Sequence, residues 1–141
     1  MPPSHSDFVL AGFANFNNGD WEAASANLHP EFVWVNDADT AGVMGVELEL
    51  RGPAQMRAWW ASFFGQWDEW EMVPGEPREG SGGRVFIPCR FTGTGKGSGV
   101  PIEFDFFQVW DFKDGSPVRI RNIRDPDAAL AAAGLDQSAQ E

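Results

Sequence analysis

Four polar residues that lie among apolar ones are the candidates for catalysis or ligand binding: Asn36, Arg90, Gln108 and Asp125. A carboxylate enclosed by apolar side chains suits general acid or base catalysis, and Asp125 is the predicted acid or base. A buried guanidinium needs a counter-charge, so Arg90 would pair with Asp125 or hold a carbonyl oxygen of a ligand. The two amides would donate hydrogen bonds to a ligand carbonyl or fix a water molecule. The predicted catalytic residues are Asp125, Arg90 and Asn36.

Each of these residues also has a purely structural interpretation. Asp125 precedes Pro126, and an Asp-Pro pair favours the start of a turn. Arg90 would otherwise lie on the surface near a strand end. Asn36 and Gln108 would otherwise hydrogen-bond to each other or to the backbone. The sequence leaves these alternatives open.

Three long strands in succession must position most of these side chains. They are predicted at residues 84–94, 100–112 and 117–125, and the first two are joined by a glycine-rich turn at 93–99. A Lys-Asp-Gly turn at 113–115 joins the second strand to the third. Long antiparallel strands with polar residues among aromatic ones predict a curved sheet around a pocket.

Strand alternation assigns the side chains to faces of this sheet. In the second strand, the more apolar set contains Gln108 and is expected to face the helices. In the first strand, the set with Arg90 is assigned to the same inner face, and Cys89 to the outer one. Glu103 and Asp105 are expected to pair with Arg119 or Arg121 across the outer face. The predicted ligand-binding residues are Trp34, Trp60, Phe86, Thr92, Phe106, Gln108 and Trp110.

Helical patterns occupy the first half of the chain. They are predicted at 7–16, at 21–28 after the capping residue Asp20, and from the Gly52-Pro53 pair onward. Short strands are predicted at 31–36 and 67–73, and an alanine-rich helix at 127–135. The fold class is therefore α+β: a cone-shaped, curved, mainly antiparallel (mixed) sheet with three helices covering its concave face.

Composition restricts the kind of protein. The 141 residues predict a single domain over 1–141, with 1–6 and 136–141 expected to be flexible. A net charge of −11 disfavours nucleic acid and anionic membranes as partners. No apolar run is long enough for a membrane span, and no secretory signal is recognised, so a cytoplasmic location is expected. One cysteine and two separated histidines predict no metal site.

The motifs occur in an order that resembles the SnoaL-like family of the nuclear-transport-factor-2-like superfamily. They are FNNGDWEA at 16–23, LHPEFVW at 28–34, Gly52-Pro53, GSGVP at 97–101, VWDFKDG at 109–115 and Arg124-Asp125 before the final helix. The superfamily includes ketosteroid isomerases, polyketide cyclases and limonene-type epoxide hydrolases. The resemblance therefore implies the cone fold, and it implies no cofactor.

The resemblance also allows residues to be compared with those relatives. The base of ketosteroid isomerases falls on Asn36, and their protonated Asp falls on Gln108, whereas their Tyr has no counterpart in a chain without tyrosine. Asp37 would replace the base only if the strand end were shifted. Limonene-type epoxide hydrolases resemble the chain at Asn36, Arg90 and Asp125, and at Trp34 in place of a Tyr, but their second Asp falls on Thr92.

Three functional hypotheses follow. The first is a protein that binds a small apolar molecule in an aromatic-lined pocket, with cofactor-independent isomerase, cyclase or hydrolase chemistry. The second is a ligand-binding or interaction module without catalysis, and the third is an epoxide hydrolase. A homodimer through the outer sheet face is expected in each case.

Overall fold

The computed structural model describes residues 4–44 and 46–135. Of the segments predicted to be flexible, 1–6 and 136–141, residues 1–3 and 136–141 lie outside the described residues. Residues 5 and 6, in contrast, are already helical. The Ser4 hydroxyl accepts a hydrogen bond from the Asp7 backbone N–H at 3.1 Å, so the first helix is capped at Ser4, earlier than the sequence predicts.

Five α-helices and one short 3-10 turn at Ser81–Gly83 are present in the described residues. The α-helices are numbered in chain order. They are α1 (His5–Asn17), α2 (Trp21–Ala26), α3 (Ala38–Met44), α4 (Pro53–Phe64) and α5 (Pro126–Ala132). Asp20 caps α2 as predicted, since its carboxylate accepts a hydrogen bond from the Ala23 N–H. The short helix α3 was not expected. Its start is stabilised by Asp37, whose carboxylate accepts a hydrogen bond from the Thr40 N–H at 2.7 Å.

Seven strands in the described residues form one curved sheet. They are β1 (Val33–Asn36), β2 (Glu49–Arg51), β3 (Trp67–Pro74), β4 (Arg78–Glu79), β5 (Val85–Gly95), β6 (Pro101–Lys113) and β7 (Ser116–Ile123). Their order is β2-β1-β7-β6-β5-β3, and the short β4 also pairs with β5. Only β1 and β7 run parallel among these pairs. This confirms the predicted mixed sheet in an α+β fold.

Helices α1, α2 and α4 cover the concave face of the sheet. The main core joins Phe13 and Phe16 of α1, and Trp60 and Phe64 of α4, to side chains from all the long strands. Helix α5 instead packs on the convex face, over Phe86, Val109 and Ile123. No helix in the described part of the chain is long and apolar enough to cross a membrane.

Proline 88 lies where the edge of the sheet is interrupted. The pairing of β3 with β5 ends at Pro74 and Cys89, and the pairing of β4 begins at Arg78 and Phe86. Pro88 therefore occupies a gap between the two partner strands, where its missing N–H costs no ladder hydrogen bond. This agrees with the expectation that Pro88 lies at an edge or an irregularity.

The end of α5 contacts the turn at 81–83 very closely. The Ser81 N–H donates a hydrogen bond to the Ala133 carbonyl at 3.0 Å. A Cβ atom at Gly80 would overlap that carbonyl oxygen. The close approach, and not the backbone conformation, requires glycine at position 80. The φ angle of Gly80 is −105°, which any residue can adopt.

Candidate functional site

A cavity of about 200 Å³ lies between α1, α2 and the concave face of the sheet. Its wall is mostly apolar, and Trp34, Trp60 and Trp110 contribute three indole rings. Gln108 is the polar group at its deep end, where it is 2% exposed. Asp7, in the first turn of α1, is the one ionisable side chain among the described residues of the wall. The cavity is therefore apolar and nearly free of charge.

A second, smaller cavity of about 40 Å³ adjoins the first. Phe16, Trp34 and Met72 line both cavities, so these three side chains form the partition. Asn36 and Asn122 supply polar groups to the smaller cavity, and no ionisable side chain appears among the described residues of its wall. Its volume is sufficient for a water molecule or for a single functional group of a ligand.

A directed chain of hydrogen bonds connects the two cavities. The Trp110 indole N–H donates to Gln108 Oε1 at 2.8 Å, and Gln108 Nε2 donates to Asn122 Oδ1 at 2.9 Å. An indole N–H can only donate, so it fixes the orientation of the Gln108 amide, which in turn fixes that of Asn122. The Asn122 amino group must therefore point away from Gln108.

The Asn122 amino group is left without a partner. Its Nδ2 is buried and has no hydrogen-bond partner among residues 4–44 and 46–135, and Asn122 lines the smaller cavity. The indole nitrogens of Trp34 and Trp60 are buried and unpartnered within the same residues. Leaving such a group unpaired costs about 1–3 kcal/mol. All three are donors, and all three belong to residues that line the cavities.

Asn122 was not among the candidates from the sequence. It lies on β7 directly opposite Gln108, and the register of the two strands brings the amides together. The signal was a polar residue on the inward side of β7, two positions after buried Ile120 and on the same side of the strand. Recognising it requires the pairing register of β6 with β7, which the sequence alone does not supply.

Asn36 lies in the smaller cavity, but its amino group is already used. Asn36 Nδ2 donates to the Glu47 carbonyl at 2.7 Å, which holds the segment after α3 against β1. The neighbouring Asp37 accepts hydrogen bonds from the backbone N–H groups of Thr40 and Arg124. Asp37 thus stabilises the start of α3, and the strand shift needed to make it a base does not occur.

The face assignment of β5 was wrong. Val85, Ile87, Cys89 and Phe91 belong to the concave core, which places Phe86, Arg90 and Thr92 on the convex side. Phe86 is buried beneath α5 rather than in a ligand pocket. Arg90 is exposed and pairs with Asp105 at 2.8 Å, and half-buried Thr92 lies outside both cavities.

Asp125 does not reach either cavity. It is exposed and caps α5, since its carboxylate accepts a hydrogen bond from the Ala128 N–H at 2.8 Å. The turn interpretation of the Asp-Pro pair is therefore the correct one, and Asp125 does not meet Arg90. Of the predicted site residues, the structure brings together Trp34, Trp60, Gln108 and Trp110 in the larger cavity and Asn36 and Phe106 in the smaller one.

Cys89 lies on the concave side, contrary to the prediction. It is buried in the main core, and this burial raises the pKa of its thiol far above the ordinary value. The thiol therefore stays protonated and is a poor nucleophile or metal ligand. Among the described residues, no three His, Cys, Asp or Glu side chains cluster to hold a metal ion.

The curved sheet, the three helices on its concave face and the apolar interior together define a cone of the nuclear-transport-factor-2-like type. The sequence model of the SnoaL-like domain matches residues 9–120, and the chain therefore belongs to the SnoaL-like domain family. This confirms the resemblance seen in the motifs. The chain matches no curated protein sequence.

Solved structures show the same fold. TerC, co-crystallised with polyporic acid, is 25% identical, with a TM-score of 0.70 over 90% of this chain and 93% of that one. A protein of unknown function from Burkholderia pseudomallei is 21% identical, with a TM-score of 0.70 over 92% and 94% of the two chains. A protein from Catenulispora acidiphila with a ketosteroid isomerase-like fold, in complex with trimethylamine, is 17% identical, with a TM-score of 0.69 over 90% and 92%.

Proposed function

We propose that the chain binds a small apolar organic molecule that carries a carbonyl or a similar acceptor oxygen. The apolar body of the molecule would occupy the larger cavity. Its oxygen would enter the smaller cavity through a displaced Trp34 or Met72 and accept a hydrogen bond from Asn122 Nδ2. The observation that carries this proposal is the unpartnered Asn122 amino group, held in one orientation by Trp110 and Gln108. The similarity to TerC, which was crystallised with polyporic acid, supports an aromatic oxygenated ligand.

The size of the cavities restricts the ligand. Ligand pockets usually measure roughly 300–1,000 Å³, whereas the two cavities provide about 200 and about 40 Å³. One or two fused rings fit this space. Joining the two cavities requires that Trp34 or Met72 move out of the partition.

The chemistry available deep in the cavities is hydrogen bonding by neutral donors, because the one ionisable side chain of the described wall, Asp7, is exposed. Such donors polarise a carbonyl and stabilise an enolate-like oxygen, as in oxyanion holes. A general acid or base at Asp125, and an Asp–Arg relay for epoxide opening, are not supported, because Asp125 and Arg90 lie outside the cavities. The geometry therefore favours binding, with orientation and polarisation of the ligand, over acid–base turnover. Homodimerisation and a cytoplasmic location stay predictions.

A matched pair of ligands tests the proposal. Tetralone is a bicyclic ketone, and tetralin has the same skeleton without the carbonyl. We expect tetralone to raise the melting temperature and to bind with a measurable heat, and tetralin to bind about tenfold more weakly, since one hydrogen bond contributes about 1 kcal/mol or slightly more. Equal binding of both compounds, or of neither, would contradict the proposed role of the acceptor oxygen.

A pair of variants locates the donor. Asn122→Asp keeps an acceptor for Gln108 but lacks the amino group, so it should remove the preference for tetralone over tetralin. Asp125→Asn is the control and should bind both ligands as the unchanged protein does. If Asn122→Asp does not fold, Gln108→Glu serves instead, because a second acceptor at position 108 turns the Asn122 amino group away from the cavity. Retention of the preference in either folded variant would exclude Asn122 as the donor.

A further inference from the structure

Three arginines surround one carboxylate on the convex face of the sheet. Arg84 Nε lies 2.9 Å from Asp111 Oδ1, an Arg119 terminal nitrogen lies 2.6 Å from Asp111 Oδ2, and an Arg121 terminal nitrogen lies 3.4 Å from Oδ1. Three guanidinium groups against one carboxylate leave two positive charges at this point. The chain as a whole carries a net charge of −11, so this arginine cluster is opposite in sign to the chain's net charge.

Strand register builds the arginine cluster. Asp111 on β6 lies directly opposite Arg119 on β7, and Arg121 is the next outward-facing residue of β7. Arg84 immediately precedes β5. The end of α5 borders the cluster, where the Ala132 carbonyl accepts a hydrogen bond from Arg121 at 3.2 Å. Helix α5 does not cover it completely, since the Arg119 and Arg84 side chains remain 43% and 37% exposed.

The donors in this cluster exceed the acceptors. Each guanidinium offers five N–H groups, and the acceptors that the structure shows are the Asp111 oxygens, the Ser81 hydroxyl and the Ala132 carbonyl. Arg121 Nε is buried without a partner among the described residues. Burial lowers the pKa of Arg121, and the nearby charges of Arg119 and Arg84 lower it further, although Asp111 opposes them. The single carboxylate therefore does not neutralise the cluster.

We propose that Arg84, Arg119 and Arg121 form a binding site for a small dianionic oxyanion, a phosphate or sulfate group. Guanidinium forks match tetrahedral oxyanions through paired N–H···O contacts, which suits a group seated over the exposed edges of Arg84 and Arg119. The site lies on the opposite face of the sheet from the cavities. It therefore does not depend on the ligand proposed for the interior.

Titration with inorganic phosphate tests this site. Phosphate should raise the melting temperature in a saturable way, whereas sodium chloride at the same ionic strength should not. Arg119→Gln should weaken phosphate binding by at least about tenfold. Arg90→Gln is the matched control, because Arg90 is an exposed arginine on the same face whose partner is Asp105. It should bind phosphate as the unchanged protein does.

Two further measurements keep the result decisive. If Arg119→Gln does not fold, Arg119→Lys keeps the charge beside Asp111 but loses the planar fork, and it should also weaken binding. Phenyl phosphate distinguishes the source of the oxyanion: tighter binding than inorganic phosphate indicates a phosphorylated small molecule, and equal binding indicates the free ion. An equal response to chloride, or full phosphate binding by the Arg119 variants, would overturn the proposal.

Discussion

Along β6, the concave face carries buried aromatic rings and the amide of Gln108, whereas the convex face of the same strand carries the carboxylates of Asp105 and Asp111. The concave side links its amides by neutral hydrogen bonds and leaves the Asn122 amino group without a partner among the described residues, whereas the convex side pairs charges with arginines. Burying an unpaired charge costs much more free energy than burying an unpaired neutral donor. A neutral donor can therefore remain unpaired in the interior when no ligand is bound. This contrast between the two faces supports the proposal that the interior binds a neutral, acceptor-bearing molecule.

The largest expected difference between the faces concerns packing. Phe91→Ala, on the concave side, should lower the free energy of unfolding by about 3–5 kcal/mol, because Phe91 is 1% exposed. Phe107→Ala, on the convex side, should cost about 1–2 kcal/mol, because Phe107 is half-buried against Phe86. Urea denaturation of both variants measures the difference. Equal losses would show that the convex face is as tightly packed as the interior.

The second difference concerns thiol chemistry. Cys89 should resist iodoacetamide in the folded protein and react on unfolding, because burial keeps it protonated and out of contact with water. Thr92→Cys places a second thiol on the convex side of the same strand, and this one should react in the folded state. Mass spectrometry of the alkylated protein distinguishes the two sites. Rapid labelling of Cys89 in the folded chain would contradict its place in the core.

The raised pKa of Cys89 also fixes the direction of a pH effect. The protonated thiol is favoured in the folded state, so its contribution to stability is fully present below the ordinary thiol pKa of 9.0. That contribution is lost as the pH rises above this value toward the raised pKa of the folded state. A Cys89→Ser variant, compared with the unchanged protein by urea denaturation at pH values on both sides of 9.0, should lack this alkaline loss of stability. The same alkaline loss in both proteins would assign it to other groups.

The smallest expected effect belongs to the exposed pair on the convex face. The hydrogen bond from Arg90 lowers the pKa of Asp105, so any contribution is present above the ordinary carboxylate range and disappears as the pH falls through the lowered value. Both side chains are more than half exposed, and water screens the pair. Arg90→Gln should therefore leave the melting temperature unchanged at moderate salt. A clear drop at neutral pH that vanishes in acid would show a stronger pair than its exposure suggests.

The contrast between the faces also explains what the sequence could predict. The inner face of β6 was predictable, because aromatic rings alternate there with acids. The face of β5 was not, because Phe86 is buried under α5 while Ile87 is buried in the main core, so both sides of this strand are apolar. Register with β6 decides the matter by placing Ile87 opposite Gln108.

The candidate site was predictable in part for a similar reason. Trp34 on β1, and Gln108 and Trp110 on β6, can each be assigned to the inner face from the alternation of their own strand. Asn122 becomes important only through its partner on the next strand, and pairing between strands is not encoded in local alternation. Asp125 was wrongly predicted to be catalytic, because a capping carboxylate and a catalytic carboxylate cannot be distinguished in the sequence. In the structure Asp125 is the N-cap residue of α5.

The close approach of Gly80 to Ala133 has a consequence for the evolution of this family. A relative with any larger residue at the position of Gly80 must hold its last helix farther from the sheet, which would open the layer over Val109. A lineage that lost this glycine would have gained freedom to remodel its C-terminal segment.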